Sequence, residues 1–211
     1  YAAKYYAKGA CPPLLGVKWA ADLENCEEFN AAVLSRLAQE RPRVVVIGGV
    51  WANYAEGTLL TNPQSVKMLT DAETRSPSLA ENRLVFARSL RRTVDRVRAL
   101  GAKVVIVASY PELETAAPAR LALAAQNGQP TPHGPRRQSY LARQAYVLPV
   151  LTQLDRLDGV TVIYPHETLC GADFCDMARN GVRLYFDDNH IDIFANRLLE
   201  PAFKNALIGP K

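Results

Sequence analysis

Val44-Val45-Val46-Ile47-Gly48-Gly49 is a continuous β-branched run that ends in a glycine pair. Two later runs share its character, Val104-Val105-Ile106-Val107-Ala108 and Val160-Thr161-Val162-Ile163-Tyr164. Segments apolar at every position suit strands buried on both faces, the condition of a parallel sheet. Helical patterns lie between them. Phe29, Val33 and Leu37 recur at helical spacing from Cys26 to Gln39, and Pro42 closes the pattern. Ser78-x-x-Glu81 has the spacing of a capping box and opens a helix through Leu84, Leu90, Val94 and Val97, ending at Gly101. A further helix is expected from Ser139 to Leu157, and a last one from Phe194 to Leu207. Strand alternating with helix predicts βαβ units, hence an α/β fold with an open parallel sheet covered on both faces in three layers.

The intervening segments carry weaker signals. Residues 1–8 read as the end of a helix stopped by Gly9, with Trp19 in a polar loop beyond it. Residues 52–77 read as one long loop. Glu112 to Arg137, rich in Ala, Pro and Gly, reads as a second irregular stretch.

With 211 residues, 48% of them hydrophobic and 22% charged, the chain suits one large domain. A formal charge of +4, no run of five like charges and no aromatic stripe among the basic residues argue against nucleic acid as a partner. The arginines at 91, 92, 96 and 98 read as a solvated helix face. Four cysteines fall in two local pairs, Cys11 with Cys26 and Cys170 with Cys175. The C-x4-C pair, Cys170 and Cys175, has no second histidine or cysteine nearby to complete a tetrahedral zinc site, and joining all four would require the chain ends to meet. Two disulfides are the expected arrangement, which places the protein in an oxidising compartment. Tyr1 as first residue, without a signal peptide or an apolar span, leads us to expect a piece of a longer chain.

Ligands of open parallel sheets sit beyond the carboxyl ends of the strands. That rule gathers Gly48 to Tyr54, Ser109 and the stretch Leu184-Tyr185-Phe186-Asp187-Asp188-Asn189-His190-Ile191 on one rim. Asp187 and His190, three residues apart, have the spacing for a carboxylate to accept an imidazole Nδ1–H while Nε2 stays free to take a proton. The alternative is a polar loop with a helix cap. Asp188 and Asn189 read as turn and cap residues, and Asp192 as an acid at a helix N-terminus. Ser109 is a second candidate nucleophile but lacks the Gly-x-Ser-x-Gly surround of a nucleophile elbow. His166 reads as loop packing and His133 as an exposed loop residue. Trp51 and Tyr54 are either a platform for a sugar ring or part of the core.

Cys11-Pro12-Pro13-Leu14-Leu15, then Cys26, then Val44 to Gly49 running into Trp51 and Tyr54, resemble the SGNH hydrolase-like domain, a flavodoxin-like α/β fold. The closest resemblance is to the version fused behind membrane-bound acyltransferase-3 proteins, which also carries paired cysteines before the Asp-x-x-His block. The resemblance spans nearly the whole chain and is weakest from Glu112 to Arg137. It implies a Ser-His-Asp acyl transfer in which His190 is the base and Asp187 its orienting acid, with no cofactor and no metal. The family's serine lies in a Gly-Asp-Ser motif upstream of the Cys-Pro-Pro segment. This sequence holds no such motif, so residues 1–211 are expected to be one domain lacking its first strand. The family's Gly-x-Asn-Asp oxyanion turn is here Gly48-Gly49-Val50-Trp51-Ala52-Asn53-Tyr54. Asn53 is offset from the usual position, which leaves the glycine N–H groups as equal candidates.

By the same resemblance the protein is expected in the periplasm, tethered to the inner membrane. Its acceptor is expected to be a cell-surface or secreted glycan, and its acyl group to be supplied by a transmembrane acyltransferase domain. A free-standing carbohydrate esterase and a glycan-binding module without a nucleophile are the alternatives.

Overall fold

The computed structural model describes residues 3–20 and 25–209. Residues 3–8 form no helix; Tyr1 and Ala2, part of the same expectation, lie outside the described residues. The reason is a lack of anything to bury: Tyr5 is 89% exposed, and Lys4 and Tyr6 bond outward to Glu40. Trp19, expected in a polar loop, is buried on a two-residue strand, β1 (Lys18–Trp19). Its indole N–H donates to the Ala10 carbonyl.

The first expected helix is α1 (Cys26–Glu40), and the leading valine run is β2 (Val44–Gly48). Residues 52–77 are not one loop. They contain α2 (Trp51–Glu56), a hairpin of β3 (Thr58–Leu59) and β4 (Asn62–Val66), and β5 (Leu69–Thr70), which pairs with β1. The periodicity was invisible because α2 is only six residues long and every residue of β4 is exposed.

The Ser78 half of the capping box is formed, while the Glu81 carboxylate pairs with Arg88 at 2.9 Å. Ser78 Oγ accepts the Glu81 N–H at 3.1 Å and opens α3 (Leu79–Ala99). After β6 (Lys103–Val107), the stretch expected to be irregular contains α4 (Ala117–Gln126). Ala and Leu dominate its sequence, and their strong helix propensity outweighs the neighbouring Pro and Gly. The expected helix from 139 to 157 is two helices, α5 (Arg137–Arg143) and α6 (Val147–Asp155), broken at residues 144–146. Then come β7 (Val160–Ile163), α7 (Pro165–Leu169), a small hairpin of β8 (Ala178–Arg179) and β9 (Val182–Arg183), and α8 (Ile193–Ile208).

The main sheet is parallel, in the order β2-β6-β7. Alternate residues face opposite ways along each strand. Ile47, Val104, Ile106, Val160 and Val162 pack beneath α1, α3 and α6, while Val105, Val107 and Ile163 pack against Ala206 and Phe203 of α8. These are the three layers that the alternating pattern predicts. One strand departs from expectation. β2 is hydrogen-bonded on a single side and Val46 is 48% exposed, so the strand is an edge of the described sheet rather than buried on both faces. Both expected disulfides are formed, Cys11–Cys26 and Cys170–Cys175. No described helix is long and apolar enough to cross a membrane.

Candidate active site

A satellite core sets the position of the site. Leu184 and Tyr185 are buried with Leu113, Leu169, Met177 and Leu199, and this anchors the chain just before it emerges at Phe186. From there residues 186–190 make a closed loop. Tyr185 bridges Ile191 at its neck, and the Phe186 N–H donates to the His190 carbonyl at 2.8 Å.

Inside the loop Asp187 has two jobs. Its Oδ1 accepts the backbone N–H groups of Asn189 at 2.9 Å and of His190 at 2.7 Å. Its Oδ2 lies 2.7 Å from His190 Nδ1, so the neutral imidazole donates from Nδ1 and leaves Nε2 without a proton. Burial pushes the Asp187 carboxyl upward, but the two N–H donors and the imidazole outweigh it and hold the group below the ordinary carboxylate range. No described residue bonds Nε2, and the His190 side chain is 73% exposed.

Two N–H groups from the segment that follows β6 hold the loop's carbonyls: Leu113 donates to Asp188 at 2.7 Å and Ala117 to Asp187 at 3.2 Å. The dyad is thereby tied to the carboxyl end of the sheet. Around it lies an open depression lined by Phe186, Asp187, His190, Ile191, Asp192 and Ile193. Asp192 precedes the first residue of α8 and pairs with Arg183 at 3.0 Å, without capping the helix through its side chain.

The glycine turn is arranged for packing. A Cβ on Gly49 would lie 2.9 Å from the Tyr54 ring, so only glycine fits there, whereas Gly48 has ordinary room. Trp51 is fully buried; its indole N–H donates to the Val107 carbonyl at 2.7 Å and its ring packs on Phe86 and Tyr54. Of the two readings of Trp51, platform or core, its environment is that of the core. Tyr54 is half-buried between Trp19 and Trp51, and burial raises its phenol pKa. Asn53 is half-buried one turn along the short α2 helix.

Ser109 is 2% exposed, and its Oγ accepts the Trp51 backbone N–H at 2.9 Å. That bond ties the start of α2 to the end of β6 and withdraws Ser109 from nucleophilic work. His166 is buried. The Tyr140 hydroxyl donates to the Ser109 carbonyl at 3.1 Å and so accepts the Nδ1–H of His166 at 3.2 Å. Burial lowers the His166 pKa and keeps the ring neutral. His133 is exposed and stacks on Phe174. Among the described residues, no group of three or more His, Cys, Asp or Glu is gathered to hold a metal.

Two features of the site region had no reading in the sequence. The β8–β9 hairpin carries a detectable signal, Asn180-Gly181, both at positive φ (52° and 75°). The buried pair Glu112–Arg143, by contrast, joins two single charges far apart in sequence and has no local pattern.

A parallel α/β sheet with a histidine–aspartate dyad in the loop before its last helix defines a domain of the SGNH class. The family model described as "SGNH domain (fused to AT3 domains)" matches residues 1–205, and the chain belongs to that family. Among solved structures, the periplasmic domain of a lipopolysaccharide acetyltransferase from Salmonella ser. Paratyphi A is similar, with a TM-score of 0.60 at 14% identity. The match covers 92% of this chain and 69% of that one, and at this identity it shows the common fold. No curated relative matches the sequence.

Proposed function

We propose that this domain carries the histidine and aspartate of a Ser-His-Asp acyl transfer in a glycan O-acyltransferase located outside the cytoplasm. The observation that carries the reading is the Asp187–His190 pair, whose carboxylate is pinned by two backbone N–H groups and whose Nε2 is open to a reactant. The serine comes from a strand added along the open edge of β2, where Val46 stands uncovered and the glycine turn begins. His190 Nε2 takes the serine proton as Oγ attacks the acyl carbonyl, and Asp187 stabilises the imidazolium that results. His190 then returns the proton to the leaving group. The acyl-serine is discharged when a sugar hydroxyl, deprotonated by the same Nε2, attacks it. Backbone N–H groups at Gly48 and Gly49, or the Asn53 amide, meet the oxyanion; the Trp51 amide is already bonded to Ser109.

Three findings support the wider setting. The family is fused to acyltransferase domains, the similar solved structure is the periplasmic domain of an acetyltransferase, and two disulfides suit an oxidising compartment. Those findings favour an acyl donor delivered by a membrane acyltransferase partner and an acetyl or similar group passed to a surface or secreted glycan. The exposure of His190 also leaves room for water, which would make the same dyad a carbohydrate esterase. The test is acyl-enzyme formation and transfer in the full-length protein. His190→Ala should lower acetyl-ester turnover by about 10⁴ or more while folding is retained. Undiminished turnover would end the assignment, and release of free acid with no acylated glycan would favour the esterase.

A further inference from the structure

Beside the dyad stands a buried ion pair that the acyl-transfer steps do not use. Glu112 is 6% exposed and lies 3.3 Å from Arg143 Nε. Burial raises the Glu112 pKa, and Arg143 opposes that rise. The pair's partners belong to the β3–β4 hairpin. Arg143 donates to the Thr58 carbonyl and, at 3.3 Å, to Thr58 Oγ1, while Leu60 lies in the same narrow cleft as Glu112.

The hairpin needs such a fastening. All five residues of β4 are exposed, Val66 is 56% exposed, and neither Leu59 nor Val66 belongs to any hydrophobic cluster. An isolated two-stranded hairpin is marginal in water, and segments with few buried apolar contacts lie at the low end of local stability. At its neck Gly57 adopts φ 70°, and the Lys67 N–H donates to the Gly57 carbonyl at 2.7 Å. Yet the hairpin sits against the catalytic loop: Leu59, Leu60 and Thr61 meet Glu112, Leu113, Asp188 and Asn189 along a seam too narrow for water. Leu113, next to Glu112, is the residue whose N–H holds the Asp188 carbonyl. One short segment thus reaches the hairpin through the Glu112–Arg143 pair and the dyad loop through its backbone. A buried ion pair contributes little net stability over an apolar pair of similar volume. What this pair does supply is directed hydrogen bonds from Arg143 to the carbonyl and the hydroxyl of Thr58, in an otherwise unpacked hairpin.

We infer that Glu112 and Arg143 are positioning residues, which lock the β3–β4 hairpin onto the Asp187–His190 loop and so hold that loop in place. The effect of this lock on turnover rests on the acyl-transfer reading above; the lock itself does not.

The experiment compares full-length wild type, E112Q, and the double variant E112L/R143M, which replaces the pair by apolar side chains of similar volume. Amide hydrogen exchange is read with thermal unfolding, and transfer to the glycan acceptor with acetyl-ester hydrolysis. The double variant should unfold within a few degrees of wild type, yet its amides at residues 59–66 should exchange at least tenfold faster while those of β6 do not change. Transfer and hydrolysis should both fall at least tenfold in E112Q and in the double variant. If exchange at 59–66 is unaltered, the lock is refuted whatever the activity. If transfer returns to wild type once the double variant restores stability, the pair is only structural and the positioning role is overturned. A wild type that neither hydrolyses nor transfers would instead refute the acyl-transfer reading, with exchange still deciding the lock.

Discussion

Asp187 orients His190 by geometry that three hydrogen bonds enforce, so its role separates cleanly from charge alone. Asp187→Asn keeps the size of the side chain but can present an N–H to Nδ1, which favours the wrong tautomer. Its turnover in the full-length protein should fall by about 10³ to 10⁴, and steady-state assays with acetyl esters read this directly. A drop of less than tenfold would mean that the carboxylate is only a turn residue. Ser109 makes the opposite case. Ser109→Ala leaves the buried Trp51 N–H without an acceptor, which costs about 1–3 kcal/mol. Thermal unfolding should show that loss while turnover stays within about threefold of wild type; abolished turnover in folded protein would restore Ser109 as a nucleophile. Sequence spacing made the pair a candidate, since both partners lie within one loop, and the family resemblance favoured it over a helix cap. Spacing left Ser109 ambiguous because the Trp51 amide that occupies it is 58 residues away in the chain.

At the scale of elements, the segment after β5 is fastened to α3 by Asp71. Its carboxylate bonds Arg88 through Nε at 2.6 Å and Nη2 at 2.5 Å, and the Thr74 hydroxyl at 3.1 Å. The Arg88 hydrogen bond is the main reason that its pKa falls from 3.8 to about 2. A depressed folded-state value stabilises the protein above the unfolded pKa, and that contribution is lost as pH falls through the folded one. The shift corresponds to about 2 kcal/mol, present at pH 5 and above and gone near pH 2. Thermal unfolding of Asp71→Asn should therefore lie well below wild type at pH 6, with the two converging toward pH 2. A gap that stays constant with pH would show that the carboxylate charge contributes nothing. The pattern of buried and exposed residues explains which elements were legible. α1, α3, β6 and β7 each bury a regular face, whereas the β3–β4 hairpin buries almost nothing and α2 is too short to show a period.

For the molecule as a whole, the open side of β2 is the decisive feature. A charge at Val46 tests whether a strand covers it in the complete protein. Val46→Lys should be nearly neutral for the chain of residues 1–211, where the position is 48% exposed. In the full-length protein, where a paired strand and its helix would bury the position, the same change should cost about 1–3 kcal/mol. Equal stability effects in the two proteins, read by denaturant unfolding, would show that no strand packs there and would remove the proposed route for the serine.

The sequence by itself determined the α/β class, the three parallel strands, both disulfide pairs and the Asp187–His190 spacing. Each of these is encoded in residues close together along the chain: apolar runs, a capping box, cysteines 15 and 5 residues apart, and a carboxylate three residues before an imidazole. Only the tertiary structure decided that β2 is an edge, that Trp51 and Ser109 belong to the core, and that Glu112 meets Arg143 beside the Asp187–His190 loop. Burial and long-range pairing depend on what each side chain faces after folding. A single residue's identity does not carry that information.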